Sequence, residues 1–221
     1  MKIFDNLFHK KSERTSKKYL WAFTGEQQVL QALCENFPAA DVLYWETLFT
    51  GGFAIFDGAL RFFSVCAEPE ARNVIEWNKP ETWKFEYKEL LNEPIWCFAE
   101  DVFGNQFCFK NDGVYWLEAE TGKLERLCST FSEWKELVDS DVDYYTGCTF
   151  ARAWYDLHDA DDPLTPNKIL MPLTPFFCNG DFDVSNLFPM EAREAMCLRG
   201  NVAYQIKDTP DGTPIEIQFR K

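Results

Sequence analysis

Histidine is scarce in this chain: only His9 and His158 occur in 221 residues. The eight cysteines (34, 66, 97, 108, 128, 148, 178 and 197) are scattered singly. No C-x-x-C pair brings two thiolates to one zinc ion. Long apolar runs are missing as well. The longest uncharged stretch, residues 169–180, has 12 residues and is interrupted by Pro172 and Pro175, so no segment reads as a membrane span. There is no Gly-rich phosphate loop, and no secretory apolar run opens the sequence. These absences predict free, mostly buried thiols in a reducing, cytoplasmic setting, with no metal and no cofactor.

Basic residues are outnumbered. Twenty-two Lys and Arg face 36 Asp and Glu, for a net charge of −14. Residues 1–18 run against that trend, with six basic and two acidic side chains. The remaining 203 residues hold 16 basic and 34 acidic groups, or −18. A body this acidic repels nucleic acid and anionic membranes, and it steers basic protein partners toward itself. Solubility alone is the competing explanation for such a surface.

Aromatic residues are plentiful, at 17% with 21 Phe, 8 Trp and 8 Tyr. Within residues 94–138 they fall in four β-prone runs separated by Gly104-Asn105, Asn111-Asp112-Gly113 and Thr121-Gly122. That pattern predicts a meander. Thr130-Phe131-Ser132-Glu133 then reads as a capping box opening a helix whose Phe131, Trp134, Leu137 and Val138 face inward. Upstream, Asp57-Gly58 separates residues 53–56 from 59–65 as a hairpin. Thr24-Gly25-Glu26-Gln27 caps a helix that Pro38 stops, and short helices are expected over 41–49 and 81–91.

Beyond residue 140 the pattern predicts a helix over 149–158, a Pro-rich passage over 163–175 and a helix over 190–198. Two closing strands are expected at 202–206 and 215–219. The organisation expected is a basic segment (1–18), a core (19–140) and an extension packing on that core (141–221). The fold class is α+β, with a mostly antiparallel twisted sheet backed by helices. Ile3, Phe4, Leu7 and Phe8 share one face if the basic segment is helical, which suits a docking helix or an interfacial anchor.

Acidic residues at turns and helix ends are the candidates to touch a partner: Glu100, Asp101, Asp139, Asp141 and Asp143. Phe103, Tyr144 and Tyr145 lie near enough in sequence to act as aromatic anchors, though all three suit a core equally well. Enzymatic readings are thin. A Cys148/His158/Asp arrangement can be drawn, but Tyr-Thr-Gly-Cys-Thr-Phe matches no nucleophile signature. The acidic run 156–162 lacks the alternating spacing of a calcium loop and reads as a solvated helix end.

Several elements in order resemble one family. Phe37-Pro38 is followed by an aromatic-rich stretch ending in Leu48-Phe49-Thr50-Gly51-Gly52. Then come Ala59-Leu60-Arg61-Phe62-Phe63, the run from Phe98-Ala99-Glu100-Asp101 through Val102-Phe103-Gly104-Asn105-Gln106-Phe107, and Thr130-Phe131-Ser132-Glu133-Trp134. Over about residues 25–140 the chain resembles the SUKH superfamily, which includes the yeast Smi/Knr cell-wall regulators and many bacterial toxin-immunity proteins. The resemblance implies an α+β binding domain with no catalytic residues. Its role would be an immunity protein that binds and neutralises a toxin, often a nuclease or deaminase. The other implied role is a regulatory adaptor of the Smi/Knr type.

Overall fold

The computed structural model describes residues 37–40, 44, 53–63, 65, 72–158, 164–165, 167–210 and 212–218. The basic segment 1–18, the Thr24 capping box and all of the 41–49 helix except Tyr44, itself helical, lie outside that set. Six strands form one antiparallel sheet: β1 (Phe53–Ile55), β2 (Leu60–Phe62), β3 (Trp96–Glu100), β4 (Gln106–Lys110), β5 (Gly113–Leu117) and β6 (Leu124–Cys128). Each strand pairs with its neighbour in sequence, which makes the sheet a pure meander. With helices on both faces, the chain is α+β.

The expected turns are present in different sizes. Lys110 pairs with Gly113 around a two-residue turn, with Asn111 at φ +50. Ile55 pairs with Leu60, so the first hairpin has a four-residue connection in which Phe56, Asp57 and Gly58 all take positive φ. Between β3 and β4 runs a five-residue loop, 101–105.

One face of the sheet is aromatic. Phe98 and Phe107 pack edge-on against Trp134, with ring centroids 5.0 and 5.1 Å apart. Trp134 belongs to α2 (Phe131–Ser140), the second described helix after α1 (Val74–Asn78). Thr130 caps α2 by accepting from Glu133 N, as expected. Glu133 returns its bond one residue early, accepting from Ser129 N at 2.8 Å. The other face is covered by α1 and by the helical segment Pro80–Leu91, against which α5 (Ala192–Ile206) packs. Segment 80–91 is not the single α-helix expected: it passes from π (Pro80–Lys84) through α (Phe85–Tyr87) to 3₁₀ (Lys88–Leu91) geometry. It nevertheless points Trp83 and Tyr87 fully inward.

After α2 come α3 (Val142–Thr146) and α4 (Cys148–Leu157), then a second two-stranded sheet of β7 (Lys168–Pro172) and β8 (Leu187–Glu191). This small sheet docks on the 101–105 loop, where Leu170 N donates to Val102 O at 2.8 Å. Two expectations are corrected. Residues 202–206 are the last turns of α5, not a strand. Val202 and Ala203 extend a buried stripe through Ala192, Ala195, Met196, Arg199 and Gly200, and that three-to-four-residue period outweighs the local alternation. Residues 213–218 also form no strand. The backbone of Gln218 is satisfied by the Gln205 side-chain amide, which accepts from Gln218 N and donates to Gln218 O. Among the described residues no helix is long and apolar enough to cross a membrane.

The close approach of α5 to segment 80–91 depends on Gly200. A Cβ there would stand 2.6 Å from Tyr87 Cδ2 and 3.0 Å from Glu86 Cβ. The Tyr87 ring cannot yield, because it is fully buried and its hydroxyl donates to Ala119 O. Overpacking therefore outweighs the helix propensity that alanine adds, about 1 kcal/mol. Gly200→Ala is expected to lower stability by about 1–2 kcal/mol, read as a lower urea midpoint at unchanged slope.

Candidate protein-binding cleft

A cleft of about 360 Å³ opens where the 101–105 loop, the end of β5, the α3–α4 corner, segment 176–182 and α5 meet. Asp101 builds its floor. Its Oδ1 accepts from the backbone N–H of Phe103 and of Asn105, both at 2.9 Å, and its Oδ2 accepts from Asn105 Nδ2 at 2.8 Å. Asn105 passes the order on, its Oδ1 accepting from Ala119 N. These bonds leave Phe103 projecting into the cleft. There it meets Phe150 and Phe176 edge-on, at 5.2 and 5.6 Å. Phe176 stacks on Phe182 at 4.1 Å, and on the opposite wall Tyr144 lies 6.2 Å from Trp116. Phe182 is 71% exposed and Tyr144 63%, so the rim is formed by rings standing in water.

The α3–α4 corner is sharp because Gly147, at φ +67, ends one helix and begins the next. A Cβ there would come within 2.7 Å of both Phe103 and Val102. The corner holds Asp143 at the cleft mouth. Thr149 N donates to Asp143 Oδ1 at 2.8 Å, and this bond holds the carboxyl below the usual range. Glu118 and Glu120 complete the acidic lining, and Arg199 rises from α5 behind them.

Burial pushes Glu120 up, with Arg199 opposing the shift. Burial likewise raises Asp101 to about 7, against the hydrogen bonds from Asn105 and the charge of Arg199. Arg199 donates to Phe103 O, and its Nε has no hydrogen-bond partner among the described residues. Glu120 and Arg199 also line a second, apolar cavity of about 230 Å³ behind the cleft, with Met171, Leu198, Val202 and Ile217.

Four of the eight expected partner residues meet at this cleft: Asp101, Phe103, Asp143 and Tyr144. Tyr145 is half-buried against the core, with its ring 4.9 Å from Tyr144. Asp139 is half-buried on α2. Asp141 caps α3, its Oδ1 accepting from Tyr144 N. Glu100 and Asp101 are corrections, because neither reaches outward. Glu100 has no exposed surface: it sits opposite Arg61 on β2 and is ion-paired with Arg61 and Arg72. Asp101 is turned inward by the three loop bonds above.

Trp116, Glu118, Glu120, Phe150, Phe176, Phe182 and Arg199 join the site without a sequence signal having selected them. Arg199 carried one: a single charge within the otherwise small and apolar stripe of α5. The Cys148/His158 arrangement does not form. His158 stacks on Trp154 at the far end of α4, about 15 Å along the helix from Cys148. Burial and neighbouring Asp143 push the Cys148 thiol up, away from a nucleophilic thiolate. Asp159, Asp161 and Asp162 lie outside the described residues.

No family model matches the chain, and no curated protein matches it. Among solved structures it is similar to the crystal structure of Atu4351 from Agrobacterium tumefaciens. The TM-score is 0.46 at 15% identity, covering 80% of this chain and 81% of that one. That likeness carries no functional reading.

Asp101 yields a pH test. An unfolded aspartate ionises near 4, whereas the folded one holds its proton to about 7. Between those values the folded state binds the extra proton, so this group's contribution to stability falls as pH rises from 4 to 7 and is flat above. Asp101→Asn cannot ionise and loses that slope. Urea titrations across this range are expected to show wild type losing up to roughly 4 kcal/mol relative to the variant, less where water screens the loop.

Proposed function

We propose that this chain is a non-enzymatic binding module of the SUKH kind: an immunity protein that engages a basic surface on a cognate toxin domain and occludes it. The observation that carries this reading is the pairing, at one cleft mouth, of solvent-standing rings with carboxylates. Tyr144 and Phe182 stand in water beside half-buried Trp116, and Asp143 and Glu118 line the same mouth. Aromatic faces and carboxylates attract the same ligand group, a guanidinium or ammonium. Each cation–π contact adds about 0.5–2 kcal/mol, depending on desolvation. The net charge of −14 extends that preference over longer distances and speeds encounter with a basic partner.

The test is co-expression with the toxin encoded by the adjacent gene, followed by binding kinetics on the purified pair. Rescue of growth is expected, with an association rate that falls as salt rises. Tyr144→Ala combined with Phe182→Ala is expected to weaken binding about tenfold to a hundredfold, mostly through faster dissociation. Absence of rescue, with no complex formed, removes the immunity reading. Retention of resident cellular proteins without any rescue would identify an adaptor instead.

A further inference from the structure

The face of the sheet opposite the aromatic one, beneath α1 and segment 80–91, holds a chemical group that the cleft does not use. Cys97 on β3 and Cys108 on β4 are direct cross-strand partners, and both are fully buried. The backbone N–H and C=O of Cys97 are both taken by the Asn78 side chain, at 2.7 Å each, so they point away from β4. The two cysteines are therefore a non-hydrogen-bonded antiparallel pair, whose Cα atoms lie about 4.5 Å apart with side chains close together. That separation falls inside the range of about 4.4–6.8 Å that a disulfide requires. Both thiols are free in this structure, and they hydrogen-bond to each other.

A cation stands beside them. Lys84, on the π-helical turn that covers this face, is largely buried and donates to Asn78 Oδ1 and to Ile95 O, both at 2.8 Å. Among the described residues no carboxylate forms an ion pair with it. Burial opposes ionisation of both thiols. At Cys97 the bond from Cys108 and the charge of Lys84 outweigh burial and bring the thiol below its ordinary range. Cys108 is held well above its range by burial and by Cys97. One sulfur is thus prepared to ionise while its neighbour keeps its proton, and π-helical turns are themselves often found at functional sites.

We propose that Cys97 and Cys108 are a peroxide-oxidisable dithiol that closes to a cross-strand disulfide inside the sheet, with Lys84 as the cation supporting the reacting thiolate. The Cys97 thiolate attacks one oxygen of hydrogen peroxide. The O–O bond breaks, hydroxide leaves and takes up a proton, and Cys97 becomes a sulfenic acid. The Cys108 sulfur then displaces the sulfenic hydroxyl, which departs as water with the Cys108 proton, and the S–S bond forms. Two thiols and one peroxide give one disulfide and two waters; the sulfurs lose two electrons and the peroxide gains them. Burial makes the site selective by size. Peroxide passes through small openings of the covering turn, while a bulky disulfide reagent does not.

The test uses the full chain, reduced and folded. It is treated with hydrogen peroxide or with a bulky aromatic disulfide, then mapped by non-reducing peptide mass spectrometry. Peroxide is expected to give a Cys97–Cys108 linked peptide pair, two hydrogens lighter than the free peptides, and the aromatic disulfide is expected to leave both residues unmodified. Lys84→Met is expected to slow linkage about tenfold, the change in thiolate fraction made by one pKa unit. Mere loosening of the fold would speed linkage instead, so a slower rate separates the electrostatic role from a structural one. The proposal is overturned if peroxide consumes Cys178 and Cys197 while Cys97 and Cys108 stay free, if the link forms only in denaturant, or if Lys84→Met leaves the rate unchanged or raises it.

Discussion

Glu100 sits at the point where the two faces of this protein are held in register. It ends the central strand β3 with no exposed surface and is met by Arg61 from the neighbouring strand and Arg72 from the segment before α1. Gln106, opposite on β4, donates to its Oε2 and accepts from Trp77 Nε1 at 2.7 Å. Arg61 also reaches the second sheet, donating to Lys168 O at 2.5 Å. One carboxylate thus ties together three strands, a helix and the β7–β8 hairpin. A buried ion network adds little net stability over apolar packing, but losing one member strands the others, at about 3–5 kcal/mol. Its effect here is positional. It sets where β3 stops, and so where the loop that builds the cleft begins.

The division of labour between the sheet faces follows from a single irregularity. Pairing shifts between Cys97 and Ala99, so Phe98 is an extra residue in β3. The bulge sends Phe98 to the aromatic face, among Tyr44, Phe109, Phe131 and Trp134, while Cys97 and Glu100 share the opposite face with Gln106 and Cys108. Were Phe98 an ordinary paired residue of a regular strand, alternation would send Cys97 and Glu100, three positions apart, to opposite faces. The polar network and the dithiol owe their common layer to it.

Sequence patterns revealed the parts whose causes are local. The turn at Asn111-Asp112 and the cap at Thr130 need only their neighbours, and strands β3 to β6 and helix α2 stand where those signals put them. Strands β7 and β8 stayed hidden because Pro172 and Pro189 argue against strands, yet a two-stranded sheet has two free edges where proline is tolerated. Residues 202–206 alternate like a strand, and only their place at the end of the buried stripe of α5 makes them helical. The candidate site divides the same way. Exposed Tyr144 and mouth-lining Asp143 lie at a helix end that sequence could mark as outward. Glu100 and Asp101 look like an exposed acidic turn until Arg61, 39 positions earlier, and Arg199, 98 positions later than Asp101, supply the surroundings that bury them.

The meander order has a consequence for the timing of assembly. Every neighbour in the main sheet is also the next strand in the chain, so every pairing except β2–β3, whose connection carries α1 and segment 80–91, closes only a short loop, and the sheet can grow as the polypeptide leaves the ribosome. The cleft is different, since its walls span residues 101 to 199. It is complete only when the helix bearing Arg199 has been synthesised and docked. A nascent chain therefore possesses its sheet well before its cleft is closed on every side.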